Sequence, residues 1–502
     1  MDAAEPRVSA IAVQGGRILA VGNDLSDHIG PETKVLDLAG ATVVPGFIDS
    51  HGHMAGLGES LEVLDLREAR SAEEVIRRVE RAVQAAGEGA WIQGRSWDQT
   101  RWPGGQFPDK AALSAAAPNH PVYLTRVDGH AAWVNERALV LAGITRETPD
   151  PPGGKIHRDR NGEATGILID RATALVRSKI PPPTTAQIRQ RLERAAAECA
   201  RLGLTGVHDA GIGPAEIAAY RELVAEGRLP VRVYAMLASQ EDLLREWLAR
   251  GPETGDFLTI RAIKLMADGA LGSRGAALKE PYADDPENRG LLILDQAGIE
   301  RVARRAVEHG FQVNTHAIGD RAVRVVLDAY AAALGGPNDR RFRVELFQRY
   351  SVIPVMQATH ATSDMRWAAE RLGDVRIRGA YAWRRFLSMG LPVPNGSDFP
   401  VESPNPLWGF YAAITRQDHD GWPDGGWQPD QRMTRQEALR SWTLDGAYAA
   451  FEEHRRGSIT PGKLADFVAL SRDIMEVAPK EILDTRVTMT VLGGRVVYSG
   501  AK

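Results

Sequence analysis

Cysteine is almost missing from this chain: Cys199 is the only one in 502 residues. No disulfide can form within the chain, and a thiolate cage for zinc is excluded. There is no run of about 18 apolar residues, which removes helical membrane spans. Charge of one sign is missing too. Lys and Arg number 61 against 65 Asp and Glu, a net charge of −4, so nothing marks a nucleic-acid or anionic-membrane partner. The first 22 residues lack a basic segment followed by an apolar one and do not read as a secretory signal. Low-complexity tracts and short repeats are also lacking. These absences leave a soluble protein, expected in the cytoplasm.

What is present is ordinary globular material, 43% hydrophobic and 25% charged, ample for a core. The length suits two to four domains, or one large barrel with a smaller companion. Residues 10–45 read as short strands punctuated by Gly15-Gly16 and Gly22-Asn23. The last fifty residues look alike, with Asp466–Leu470, Val487–Leu492 and Arg495–Tyr498 as strands. Both ends are therefore expected to build one small sheet domain, from 1–45 and 451–502. The middle alternates helical stretches (Ala72–Ala86, Ala186–Leu202, Glu241–Ala249, Gly298–His309) with short apolar strands (Gly206–His208, Val231–Met236, Ala262–Met266, Gln312–Thr315). That alternation predicts βα units and a parallel sheet. About eight units fit between 46 and 450, which favours a (β/α)8 barrel, with an inserted segment around 55–180.

Four places could carry chemistry. In Pro45-Gly46-Phe47-Ile48-Asp49-Ser50-His51-Gly52-His53, strand periodicity turns His51 and His53 the same way, so the two imidazoles can share a metal ion. Two histidines in an exposed loop are the plain alternative. Gln312–His316 delivers His316 to a strand's carboxyl end, where barrel active sites lie. Asn395-Gly396-Ser397-Asp398 ends another late strand in a carboxylate that can ligate a metal and carry protons; alone, Asp398 is an ordinary helix cap. Lys264 sits between apolar strand neighbours, where an ammonium is costly to bury, unless a salt bridge inside the barrel meets it.

In this order on successive strands, His-x-His, lysine, histidine and aspartate resemble the amidohydrolase superfamily, and within it the branch that includes N-substituted formamide deformylases. The resemblance extends through Arg126–Asn135, Gly162–Leu168, Asp268–Arg274, Tyr381–Arg384 and Pro461–Asp466. It implies a metal-dependent barrel hydrolase with a flanking β-sandwich made from both chain ends. Carried over residue by residue, His51, His53 and Asp398 hold one metal, Lys264 bridges as a carbamate formed with CO2, and His316 serves a second metal. The implied reaction is cleavage of a C–N bond, amide or formamide, by metal-activated water, with Asp398 moving the proton. Zinc is the expected ion. Trp97 and His130 are candidates for the substrate pocket, with a structural role as the alternative for each, and His208 could face the site.

The sequence departs from the family pattern at Arg343-Val344-Glu345-Leu346-Phe347-Gln348, where Leu346 replaces a metal-binding histidine. Few residues then separate this strand from Met356–His360, although parallel neighbours need a crossover of roughly a dozen residues. The sixth βα unit is therefore expected to be incomplete near 346–351, and the family's opening strand would precede Met1. One firmly held ion is expected, with His360 as a substitute ligand or an ordinary pocket residue. The competing reading is an inactive relative that keeps only ligand binding or a structural role. The expected partner is a small-molecule substrate, with a homodimer left open.

Overall fold

The computed structural model describes residues 7–126, 129, 131–151, 153–336, 338–344 and 352–500, apart from the Thr100 side chain. Contacts divide the chain into Met1–Leu57 with Leu192–Lys502, and Gly58–Arg191.

The first unit opens with β1 (Ala10–Gln14) and β2 (Arg17–Gly22), an antiparallel hairpin. Its turn falls on Gly15 and Gly16, both at positive φ, as a two-residue hairpin loop requires. Next come β3 (Thr42–Pro45) and β4 (Phe47–Gly52). Gly46 separates them where a Cβ would lie 2.3 Å from Thr205 side-chain atoms, so only glycine lets the chain pass there.

The second unit holds β5 (Leu64–Asp65), β6 (Ile92–Trp97), β7 (Val122–Arg126), β8 (Ala131–Val134), β9 (Gly154–Arg158) and β10 (Ala164–Asp170) in one mixed sheet, in the order β5-β6-β7-β8-β10-β9. Side chains alternate between its faces. Leu124, Trp133 and Ile167 enter one core with Trp97, Trp102 and the helix Ala72–Ala85. Tyr123, Ala132, Val134 and Leu168 enter the other. Near-continuous apolar runs follow from burial on both faces.

The first unit resumes with β11 (Leu204–Ile212), β12 (Arg232–Leu237), β13 (Leu258–Met266), β14 (Gln312–His316) and β15 (Arg343–Val344). With β4 they form a parallel sheet in the order β15-β14-β13-β12-β11-β4. Helices Pro214–Ala225, Glu241–Arg250, Gln296–Glu308 and Asp320–Leu334 link successive strands, giving the expected βα alternation. Pairing continues past β15. A parallel bridge joins Arg343 to Ile353 and another joins Met356 to Asn395. Ser50 N then donates to Asn395 O (3.0 Å) and Asp398 N to His51 O (2.8 Å), which returns the pairing to β4. Around Asn395 and Asp398, where a late strand was expected, there is only this bridge. Leu346 and most of the shortened segment lie in 345–351, outside the described residues.

The carboxyl end supplies β16 (Phe467–Leu470), β17 (Val487–Leu492) and β18 (Arg495–Ser499). They make a four-stranded antiparallel sheet with β3, in the order β18-β17-β16-β3. The hairpin joins it through Ile18 N to Lys463 O (2.8 Å) and Gly462 N to Ile18 O (2.8 Å). Both chain ends thus meet in one sheet. Asp466, ahead of β16, grips Arg232 of β12 through Nε (2.8 Å) and Nη2 (3.0 Å), with both residues buried.

Candidate metal centre

His51 lies near the end of β4, and His53 follows just beyond it. Gly52 between them touches the Phe399 ring, where a Cβ would come within 2.5 Å. Asp398 reaches them from a backbone at φ +57, a costly conformation for a residue with a Cβ. Asp398 N on His51 O and Val401 N on Asp398 O (2.9 Å) hold it there. Beneath it, Asp49 accepts from Ser397 Oγ (2.7 Å), Ser397 N (3.2 Å) and His51 N (3.0 Å), tying the two segments together.

The three donor groups converge. His53 Nε2 lies 3.0 Å and His51 Nε2 3.5 Å from Asp398 Oδ1, and one ligand atom from each residue falls within 4.8 Å of the others. Yet Asp398 Oδ1 is buried without an aligned hydrogen-bond donor. Nδ1 of His53 lies 3.0 Å from Ala210 O. A carbonyl can only accept, so Nδ1 carries the proton and Nε2 is turned to the centre, the arrangement that commonly orients a metal-binding imidazole. An orphaned buried carboxylate oxygen facing two imidazoles suits a divalent ion. Three protein ligands with an open position also match catalytic zinc chemistry.

Protonation follows from contacts. Burial works to raise Asp398, but His53, His51 and His360 outweigh it and hold its carboxyl well below the usual carboxylate range. Burial, with help from Lys264, pushes His51 well below 6.5. For His53 burial also lowers the pKa, but the contact with Asp398 wins and the net shift is upward.

Lys264, on β13, places Nζ 3.2 Å from His51 Nε2. His316, ending β14, keeps Nε2 buried without a hydrogen-bond partner, and burial followed by Lys264 lowers its pKa to about 4. Five of the expected residues therefore stand together: His51, His53, Lys264, His316 and Asp398. His360 joins them. It lies in the helix Ala358–Asp364 rather than at a strand end, with a buried, unpartnered Nε2 4.0 Å from Asp398 Oδ2.

Other expectations fare differently. Trp97 is fully buried in the second unit's core, its indole N–H donating to Leu124 O (2.8 Å) among Trp102, Phe107 and Trp133. It is a packing residue with no face left for a substrate. His130 lies outside the described residues. His208 points into the barrel interior but is taken up by Arg343, whose Nη1 donates to Nδ1 (2.8 Å).

One residue escaped the sequence reading. Asp268, fully buried, accepts from Ile318 N (2.9 Å) through Oδ1, and from Gly319 N (2.8 Å) and Ala277 N (2.7 Å) through Oδ2. It fixes the turn that follows His316. Its signal was a lone Asp-Gly after a strand, which reads first as a turn.

With this geometry in place, similarity to known proteins can be weighed. The family model described as "Amidohydrolase family" matches residues 34–498. The chain belongs to the amidohydrolase family. YtcJ of Bacillus subtilis (strain 168), whose name ranks it provisionally as an amidohydrolase, is 33% identical, covering 98% of this chain and 96% of its own. N-substituted formamide deformylase of Arthrobacter pascens is 28% identical, covering 99% and 96%. An uncharacterised metal-dependent hydrolase from Pyrococcus horikoshii OT3 matches with a TM-score of 0.78 at 29% identity, covering 94% of this chain and 95% of that one. This family and these neighbours make the chain a hydrolase of α/β fold, and with the converging donors they support a divalent metal.

Proposed function

We propose that the chain hydrolyses a C–N bond of a small amide or formamide, with His51, His53 and Asp398 holding one divalent ion, zinc by donor chemistry. The observation that carries this is the convergence of two imidazole nitrogens on a buried carboxylate oxygen that has no aligned donor. Similarity to a relative named N-substituted formamide deformylase supports the bond type. An ion bound there lowers the pKa of water to about 7 and polarises a carbonyl.

The residues of the chain do the rest. Asp398, ionised at neutral pH, accepts the proton of the attacking water and delivers it to the leaving nitrogen. His51 stays neutral and presents a lone pair. Lys264, as a carbamate, contributes an anionic ligand in place of an ammonium that would repel the ion. His316, neutral above about pH 4, is free to hydrogen-bond substrate or water. The pairing that returns to β4 supports a closed eight-stranded barrel, flanked by a sandwich of the hairpin and the β18-β17-β16-β3 sheet. The competing reading of an inactive relative rests on Leu346 and its segment, which lie outside the described residues. The zinc-reconstituted protein should release amine from N-substituted formamides or simple amides, and Asp398→Asn should abolish that release. No turnover of any C–N substrate by protein with bound metal would refute the reading.

A further inference from the structure

Below the metal cradle lies a cavity lined in part by His51, Lys264, Asn314, His316 and Arg343; none of its lining residues is acidic. Strand register explains the grouping. Lys264 of β13 pairs with Asn314 of β14, and Asn314 pairs with Arg343 of β15. Two cations thus flank one amide in a single row, with their Cα atoms roughly 10 Å apart at about 4.8 Å per strand.

Two features of the row lack a complement. Asn314 is 4% exposed, and neither its Nδ2 nor its Oδ1 has a hydrogen-bond partner. Arg343 is 2% exposed. Its Nη1 donates to His208 Nδ1 and its Nη2 to Ala449 O, its guanidinium lies 5.1 Å from the Tyr234 ring, and Nε–H has no acceptor. Among the described residues no carboxylate lies at ion-pair distance from it. Buried amides and buried cations ordinarily have partners, and burial alone already lowers the Arg343 pKa to about 10. With Lys264 as an ammonium, the row carries two like charges and no anion. A planar –CO2− group at Lys264 reverses one charge and offers acceptors to both orphaned donors.

We propose that the row Lys264–Asn314–Arg343 is a receptor for a planar –CO2− group, with Asn314 and Arg343 as its positioning residues. This rests on the reading of Lys264 given above and adds the residues that select its carboxylated form. In the covalent case, the lone pair of neutral Nζ attacks the carbon of CO2. The new N–C bond forms as one C–O π pair moves onto oxygen, and the nitrogen gives its proton to solvent. A free bicarbonate or carboxylate presents the same group without the bond.

The test is 13C NMR of the zinc-reconstituted, 15N-lysine-labelled protein in 13C-bicarbonate. The expected result is one bound resonance coupled to lysine nitrogen and absent from Lys264→Met. Its half-saturating bicarbonate concentration should rise about tenfold or more in Arg343→Met, since the donors lost are charge-assisted. Asn314→Asp, which keeps the side-chain shape, should lose the resonance through repulsion. Circular dichroism and zinc content show whether each variant is folded and loaded. A bound resonance without nitrogen coupling that survives in Lys264→Met and weakens in Arg343→Met would support the receptor with a free anion as its source. A coupled resonance unchanged in both Arg343→Met and Asn314→Asp would overturn the proposal and leave the Lys264 carbamate standing. No bound resonance in the unmodified protein would overturn both, while zinc content still reports separately on His51, His53 and Asp398.

Discussion

Acidification should strip a divalent ion from His51, His53 and Asp398 with a coupling of about one proton. Metal ligands must be deprotonated, so the coupling is set by which donors carry a proton when no ion is bound. Asp398 is ionised, because its imidazole neighbours hold its pKa low against burial. His51 is neutral, desolvated and close to Lys264. His316 takes up a proton only near pH 4. His53 alone has its pKa raised above 6.5, because its contact with Asp398 outweighs the loss of water. Between about pH 4 and that raised value, the ion displaces one proton, from His53 Nε2. Apparent affinity should then fall about tenfold, or 1.36 kcal/mol, for each pH unit lost. The protein without metal behaves in the opposite sense. Stability from the charged His53–Asp398 pair is fully present below the unfolded histidine value near 6.5 and is lost as pH rises through the raised folded value. Chelator-competition titrations of zinc across this range read the slope. A slope near zero would mean that His53 is not a ligand, and a slope near two would mean that His51 is protonated and the assigned charge states are wrong.

Other perturbations probe the framework. Asp466→Ala leaves Arg232 buried without its carboxylate and should cost about 3–5 kcal/mol, read as a lower urea midpoint; an unchanged midpoint would contradict it. Gly319→Ala puts a Cβ 1.9 Å from Ala277 O, so the turn after His316 must shift. A cost of about 1–3 kcal/mol is expected, with loss of activity, and a wild-type melting curve would refute the packing. Tyr220→Phe removes the hydroxyl that donates to Asp209 Oδ2 (2.6 Å) while Met54 N still holds Oδ1. A buried oxygen left without its donor should cost about 1–3 kcal/mol, measurable by chemical denaturation.

Local pattern carried most of the site. Strand periodicity turned His51 toward the partner it meets, and apolar runs ending in a functional residue located Lys264 and His316. The helices predicted at 72–86 and 241–249 appear as Ala72–Ala85 and Glu241–Arg250, because their amphipathic period is strong. What the sequence hid depends on partners far along the chain. Arg343 meets His208 across 135 positions, and Asp268 meets Gly319 across 51. Neither pairing leaves a local trace. Trp97 misled for a related reason: a tryptophan in a Gly-rich stretch looks like a pocket residue until Trp102 and Trp133 close over it. Asp398 stands at a positive φ that no residue pattern announces.

Metal content bears most directly on the central claim. Elemental analysis of the purified, reconstituted protein should find one tightly held divalent ion per chain, and His51→Ala and His53→Ala should each lose it while remaining folded. No ion in the unmodified protein, or a stoichiometric ion retained in either variant, would contradict the account.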